Sequence, residues 1–187
     1  MNKKAAMEMS VGTIVTIVLL VTVLVLGLTL IRTIFKTSVE NVEGIDQEIK
    51  DQINKLFAED NTVKISVFPQ SRKISIRKGN EDPLGFGFSI RNVENSDGVF
   101  RYTVTVDDPN LRTRCNVNER EAQSYITLGD EGNVNIGRGQ QMDDPIFVRF
   151  RIPETAPPCE VRYAINVKKD GQTYGSTVHV DLFIKAK

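Results

Sequence analysis

From Met9 to Ile31 the chain reads MSVGTIVTIVLLVTVLVLGLTLI, a run with no charged side chain. At 1.5 Å per residue a helix of this length extends roughly 35 Å, slightly more than a hydrocarbon core about 30 Å thick. The run therefore predicts a transmembrane helix over 9–35, behind a basic N-terminal segment over 1–8. A secretory signal has a shorter apolar region, about 7–15 residues, followed by a small-residue cleavage site. Here Arg32 and Lys36 follow instead. Lys3 and Lys4 before the run nearly balance these two cations, so charge alone does not orient the span.

A second helical pattern follows. Phe35, Val39, Val42, Ile45, Ile49, Ile53, Leu56 and Phe57 recur at steps of three and four among charged residues, which predicts an amphipathic helix or stalk over 36–60. Asp46 falls on the seam that a coiled coil would need to keep apolar, and Gly44 costs about 1 kcal/mol relative to Ala. Packing against the rest of the chain is the expected use of this stripe, ahead of self-association.

Beyond Thr62 the period changes to two. TVKISVF, KISIRK, GFGFSIRNV, VFRYTVTVDD, SYITL, NVNIG, IFVRFRI, VRYAINVKK and STVHVDLFIK alternate apolar and polar positions, separated by segments rich in Gly, Pro, Asn and Asp. Asp170-Gly171 in KDGQTYG supplies the turn of a hairpin. The pattern predicts an antiparallel sandwich over 61–187 with no helix inside it. Cys115 and Cys159 both lie in this region. Joined, they would close a loop of about 44 residues and add roughly 4 kcal/mol on the chain-entropy model; otherwise they are two separate buried thiols. A disulfide would place the domain outside the cytosol, since such bonds persist there.

Composition excludes several functions. Lys plus Arg and Asp plus Glu number 24 each, so no net charge attracts the chain to nucleic acid. One histidine and no tryptophan leave little for metal binding or histidine-based catalysis. His179 shares its strand face with Asp181 and reads as an ordinary solvent-facing residue. Acidic pairs at Asp107 and Asp108, Asp130 and Glu131, and Asp143 and Asp144 lack the spacing of a calcium loop and read as solvated turns. IGRGQQM lacks the spacing of a phosphate loop. Arg112, Arg114 and Arg120 are offset by Glu119 and Glu121. Tyr125 and Tyr174 are the candidates for stacking on a sugar. The chain is not expected to be an enzyme or to carry a cofactor or a metal.

Two resemblances complete the reading. FSIRNVENSDGVFRYTVTV, and later PETAPPCEVRY before the penultimate strand, resemble Ig-like modules of microbial cell surfaces, with Cys159 where those modules usually have glycine. Lys3-Lys4, small residues, an acid and then an unbroken apolar helix resemble the class III signal of archaeal type IV pilins. That resemblance implies cleavage between Ala5 and Ala6, a retained helix, and Glu8 as a subunit contact at the third mature position, where the pilin pattern has its acid at the fifth.

The expected fold class is thus mainly β: a transmembrane helix continuing into an amphipathic helix, then an Ig-like antiparallel sandwich. The expected protein is a single-pass, membrane-anchored surface protein with an extracytoplasmic β domain. In the first reading it is a pilin-like structural subunit that self-associates. In the second it is an anchored, non-polymerising adhesion module for another surface protein or a glycan. Membrane lipid is a partner in both, and nucleic acid in neither.

Overall fold

A computed structural model describes the backbone of residues 11–60, 62–80 and 84–186, and, within the first helix, the side chains of residues 12, 14–29 and 49–58. The chain divides into two compact units, Met1–Ile45 and Asp46–Lys187. Helix α1, Val11–Glu59, contributes to both.

The expected transmembrane helix is corrected. Among the described residues no helix is long and apolar enough to cross a membrane. The single-pass anchor and the surface localisation that rested on it go with it. The side chains of Phe35, Val39, Val42 and Ile45, which formed the first half of the amphipathic pattern, lie outside the described residues.

The second unit is mainly β. Strands β1 (Ile65–Phe68), β3 (Leu84–Ile90), β7 (Ile146–Phe150) and β5 (Ile126–Leu128) form one sheet in the order β1-β3-β7-β5. Strands β2 (Lys73–Arg77), β10 (Val178–Lys185), β8 (Glu160–Lys169), β4 (Gly98–Val106) and β6 (Glu131–Ile136) form the second in that order, and the short β9 (Gln172–Thr173) also pairs with β8. The β unit includes a sheet curled into a half-barrel. Two features depart from the expected all-antiparallel, helix-free sandwich. Strand β2 runs parallel to β10, and helices α2 (Leu111–Cys115) and α3 (Glu119–Gln123) fill the connection from β4 to β5. The Asn118 side chain caps α3 by accepting from the Glu121 amide. The turn after β8 places Asp170 and Gly171 at φ of 48° and 87°, the double positive that a two-residue hairpin turn requires.

Alternation decides which face is buried. Phe86, Phe88 and Ile90 of β3 and Val148 and Phe150 of β7 face Phe100 and Val104 of β4, Val161, Tyr163 and Ile165 of β8 and Val180 and Leu182 of β10, all in one buried cluster. Aromatic rings cross this interface: Phe150 lies 5.1 Å from Tyr163, and Phe88 meets Tyr102 edge-on at 5.3 Å.

The opposite face of the smaller sheet receives the end of α1. Gly87, Ser89 and, across the ladder, Ser66 share that face, and all three are buried. Gly87 lies directly beneath Ile49 and Ile53, and Ile53 and Phe57 are 1% and 0% exposed. The Arg91 guanidinium lies over the Phe57 ring at 4.6 Å and donates to the Asp60 carbonyl and the Gln141 amide oxygen. Lys50 pairs with Asp144 at 2.5 Å, and Gln141 donates to Asn54. The stripe Ile49, Ile53, Phe57 thus packs on the chain's own β unit, giving three layers: helix, small sheet, large sheet.

Candidate assembly surface and the placement of the predicted site residues

The N-terminal part of α1 has the opposite character. Twelve large apolar residues between Ile14 and Leu28 are exposed, from 49% at Ile14 to 69% at Leu20. Successive residues turn by about 100°, so positions 17–21 and 23–26 cover the whole circumference. No charge interrupts them. Thr22 donates its hydroxyl to the Val18 carbonyl and Thr29 to the Leu26 carbonyl, at 2.8 Å for the latter, so these polar groups are satisfied within the helix. A Cβ added at Gly27 would meet nothing. A helix that is apolar on every side is stable only when other apolar groups surround it.

The predicted processing site, Ala5 and Ala6, and the predicted contact Glu8 lie outside the described residues. Cys115 and Cys159 are brought together but not joined. Both are free cysteines, 2.6 Å apart, so the expected disulfide is corrected and the placement argument that used it falls. Cys115 ends α2 and is buried, directing its thiol to the Glu160 carbonyl at 3.4 Å. Burial, reinforced by the neighbouring Cys115 thiol, pushes the Cys159 thiol up to about 12.

The sugar-stacking candidates are corrected as well: Tyr125 is 2% exposed and Tyr174 is 3% exposed. The Tyr174 hydroxyl donates to the Arg91 carbonyl at 2.7 Å and accepts from the Val93 amide at 2.9 Å, so it pins the chain where it leaves β3. The Tyr125 hydroxyl is buried with no hydrogen-bond partner, and burial pushes it up to about 12.

His179 stands 2.8 Å from Asp107 on the outer face of the large sheet, beside Arg162, which binds Asp181 at 2.8 Å. The acidic pairs are engaged separately: Asp108 with Arg114 at 2.5 Å, Glu131 with Arg101 at 3.1 Å, Asp144 with Lys50. Among the described residues no group of three or more His, Cys, Asp or Glu is placed to hold a metal. Arg112, Glu119 and Arg120 line an open cleft of about 520 Å³ beside α2 and α3.

Sequence pattern missed one buried cation. Lys169 ends β8 with only 7% exposure and donates to Glu94 Oε2 at 2.8 Å, to the Ser96 carbonyl and to the Ser96 hydroxyl. Its stem crosses Gly98 so closely that a Cβ there would lie 2.2 Å from Lys169 Cε. Glycine at the start of a strand is the one sequence signal that something passes close by.

No family model matches the chain, and no curated protein matches it. Solved structures with some likeness include a family 123 glycoside hydrolase from Clostridium perfringens, at 14% identity and TM-score 0.38, covering 62% of this chain and 23% of that one. Others are the Escherichia coli chaperone DraB, at 9% identity and TM-score 0.39 over 65% of this chain and 55% of that one, and the CooA pilin subunit of enterotoxigenic E. coli, at 6% identity and TM-score 0.34 over 66% and 97%. The chain thus spans about a quarter of the hydrolase and about half of the chaperone. At these scores the likenesses carry no argument about function, and the resemblance to archaeal pilins gains no family support.

Proposed function

We propose that this chain is a pilin-like structural subunit, assembling with copies of itself through the apolar part of α1 while the β unit forms the outer surface of the assembly. The observation that carries the proposal is the uninterrupted apolar circumference between Ile14 and Leu28. Burying a valine or leucine side chain is worth about 1.5–3 kcal/mol. Twelve such groups half in water represent a driving force on the order of 10 kcal/mol, comparable to the net stability of a whole domain. Equivalent helices from other copies supply the surface each lacks, and the threonines, already bonded within their own helix, ask nothing of the partner.

The test is the mass of the full chain in mild detergent, with electron microscopy after the detergent is removed. Multimers and filaments are expected from the native sequence. Leu20→Glu combined with Leu24→Glu should disperse them while leaving the far-ultraviolet spectrum of the β unit intact. A native chain that stays monomeric throughout, or that is simply absorbed by lipid vesicles as monomers, would rule the proposal out.

A further inference from the structure

The outer face of the large sheet carries a second cavity, of about 580 Å³, lined by Val99, Arg101, Thr103, Asn133, Asn166 and Lys168 and closed at one end by the Asp170-Gly171 turn. Its volume lies within the range of about 300–1,000 Å³ typical of ligand clefts. The ladder register explains the convergence. Arg101 of β4 stands opposite Asn133 of β6 and Lys168 of β8, and Thr103 stands opposite Asn166, so the polar positions of three adjacent strands form two rows on one face.

The hydrogen-bonding capacity of these rows is only partly used by the fold. The Thr103 hydroxyl, the Asn133 amide and the Lys168 ammonium make no hydrogen bond within the protein among the described residues, whereas Asn166 Oδ1 accepts from Thr177, leaving its amino group free. The charges at the cavity are of both signs: Arg101 is paired with Glu131 at its edge at 3.1 Å, and Lys168 shares the lining with Asp170, which accepts from the Val99 amide at 3.0 Å. An anion would meet Asp170 and have to compete with Glu131 for Arg101, and a cation would meet two basic groups. Nucleic acid would find no net positive field. An apolar ligand would strip water from polar groups without replacing it.

From this we infer that the cavity on β4, β6 and β8 binds a neutral glycan. Side-chain amides present a donor and an acceptor side by side, which suits adjacent hydroxyls of one sugar ring. Val99, half exposed, offers an apolar contact to the C–H face of the ring. With Tyr125 and Tyr174 buried elsewhere, recognition rests on hydrogen bonds rather than on ring stacking.

The experiment uses the full chain in mild detergent, a microarray of neutral and anionic oligosaccharides, and calorimetric titration of any neutral oligosaccharide retained. A neutral oligosaccharide should bind with an affinity that changes little with salt. Thr103→Ala combined with Asn133→Ala should weaken it roughly tenfold, as the loss of two modest hydrogen bonds predicts. Both positions are on the outer face, and an unchanged near-ultraviolet spectrum would confirm folding. Retention of anionic oligosaccharides alone, no retention, or binding indifferent to the double substitution would each overturn the inference. None of these outcomes depends on whether the chain assembles.

Discussion

Ile49 Cγ2 lies 2.5 Å from the point where a β-carbon on Gly87 would stand, and Ile53 Cδ1 lies 3.4 Å from it. The helix reaches the small sheet only because that position has no side chain. Gly87→Ala should therefore lift α1 off the sheet and cost about 1–3 kcal/mol, the usual range for overpacking. Urea unfolding followed by tyrosine fluorescence measures this, and Gly87→Val should cost more.

Lys169 pins the bend between β3 and β4. Its ammonium satisfies Glu94 and Ser96, and Asn92, itself fully buried, donates to the Ser96, Ile136 and Gly137 carbonyls. Lys169→Met keeps the stem but removes the donor to Glu94 and the Ser96 hydroxyl, leaving the Ser96 carbonyl to Asn92 alone. A loss of about 1–3 kcal/mol is expected, together with faster amide hydrogen exchange over 93–98. Asn92→Ala should accelerate exchange in the same segment.

Two buried tyrosines make opposite predictions. The Tyr163 hydroxyl donates to the Ala122 carbonyl at 2.7 Å and so ties β8 to α3, whereas the Tyr125 hydroxyl has no partner. Tyr163→Phe should destabilise by about 1–2 kcal/mol. Tyr125→Phe should leave stability unchanged or raise it, since it removes a polar group buried at a cost. Thermal melting of the two variants side by side distinguishes them.

Alkaline pH should weaken the β unit. Burial raises Cys159 from about 9 to about 12 and Tyr125 from about 10 to about 12, so the folded state holds these protons more tightly than the unfolded chain. Stability is fully present below about pH 9 and falls as pH rises toward 12, where the folded groups also ionise. The urea midpoint should decline across that window, and Cys159→Ala with Tyr125→Phe should make the decline shallower, the remainder coming from Tyr163, Tyr174 and Tyr102, which burial also raises. An equally steep decline in the double variant would show that other groups cause it.

Local pattern was enough for the strands. The alternation in VFRYTVTV, VRYAINVKK and STVHVDLFIK determines which residues face the core, because side chains two apart must share a face, and Asp170-Gly171 announces its turn through backbone angles that few other pairs adopt. The stripe of Ile49, Ile53 and Phe57 is equally legible, since helical periodicity is a local property, whereas the membrane span expected of the uncharged run is not borne out. Local pattern did not extend to the partners of these elements. The parallel pairing of β2 with β10, the place of Gly87 beneath the helix, the free thiols of Cys115 and Cys159, and the burial of Tyr125, Tyr174 and Lys169 all depend on groups distant in the chain. Alternation and periodicity say that a face must be covered or left wet; only the tertiary structure decides what covers it, because burial and hydrogen bonding are set by whatever the fold brings within a few ångströms.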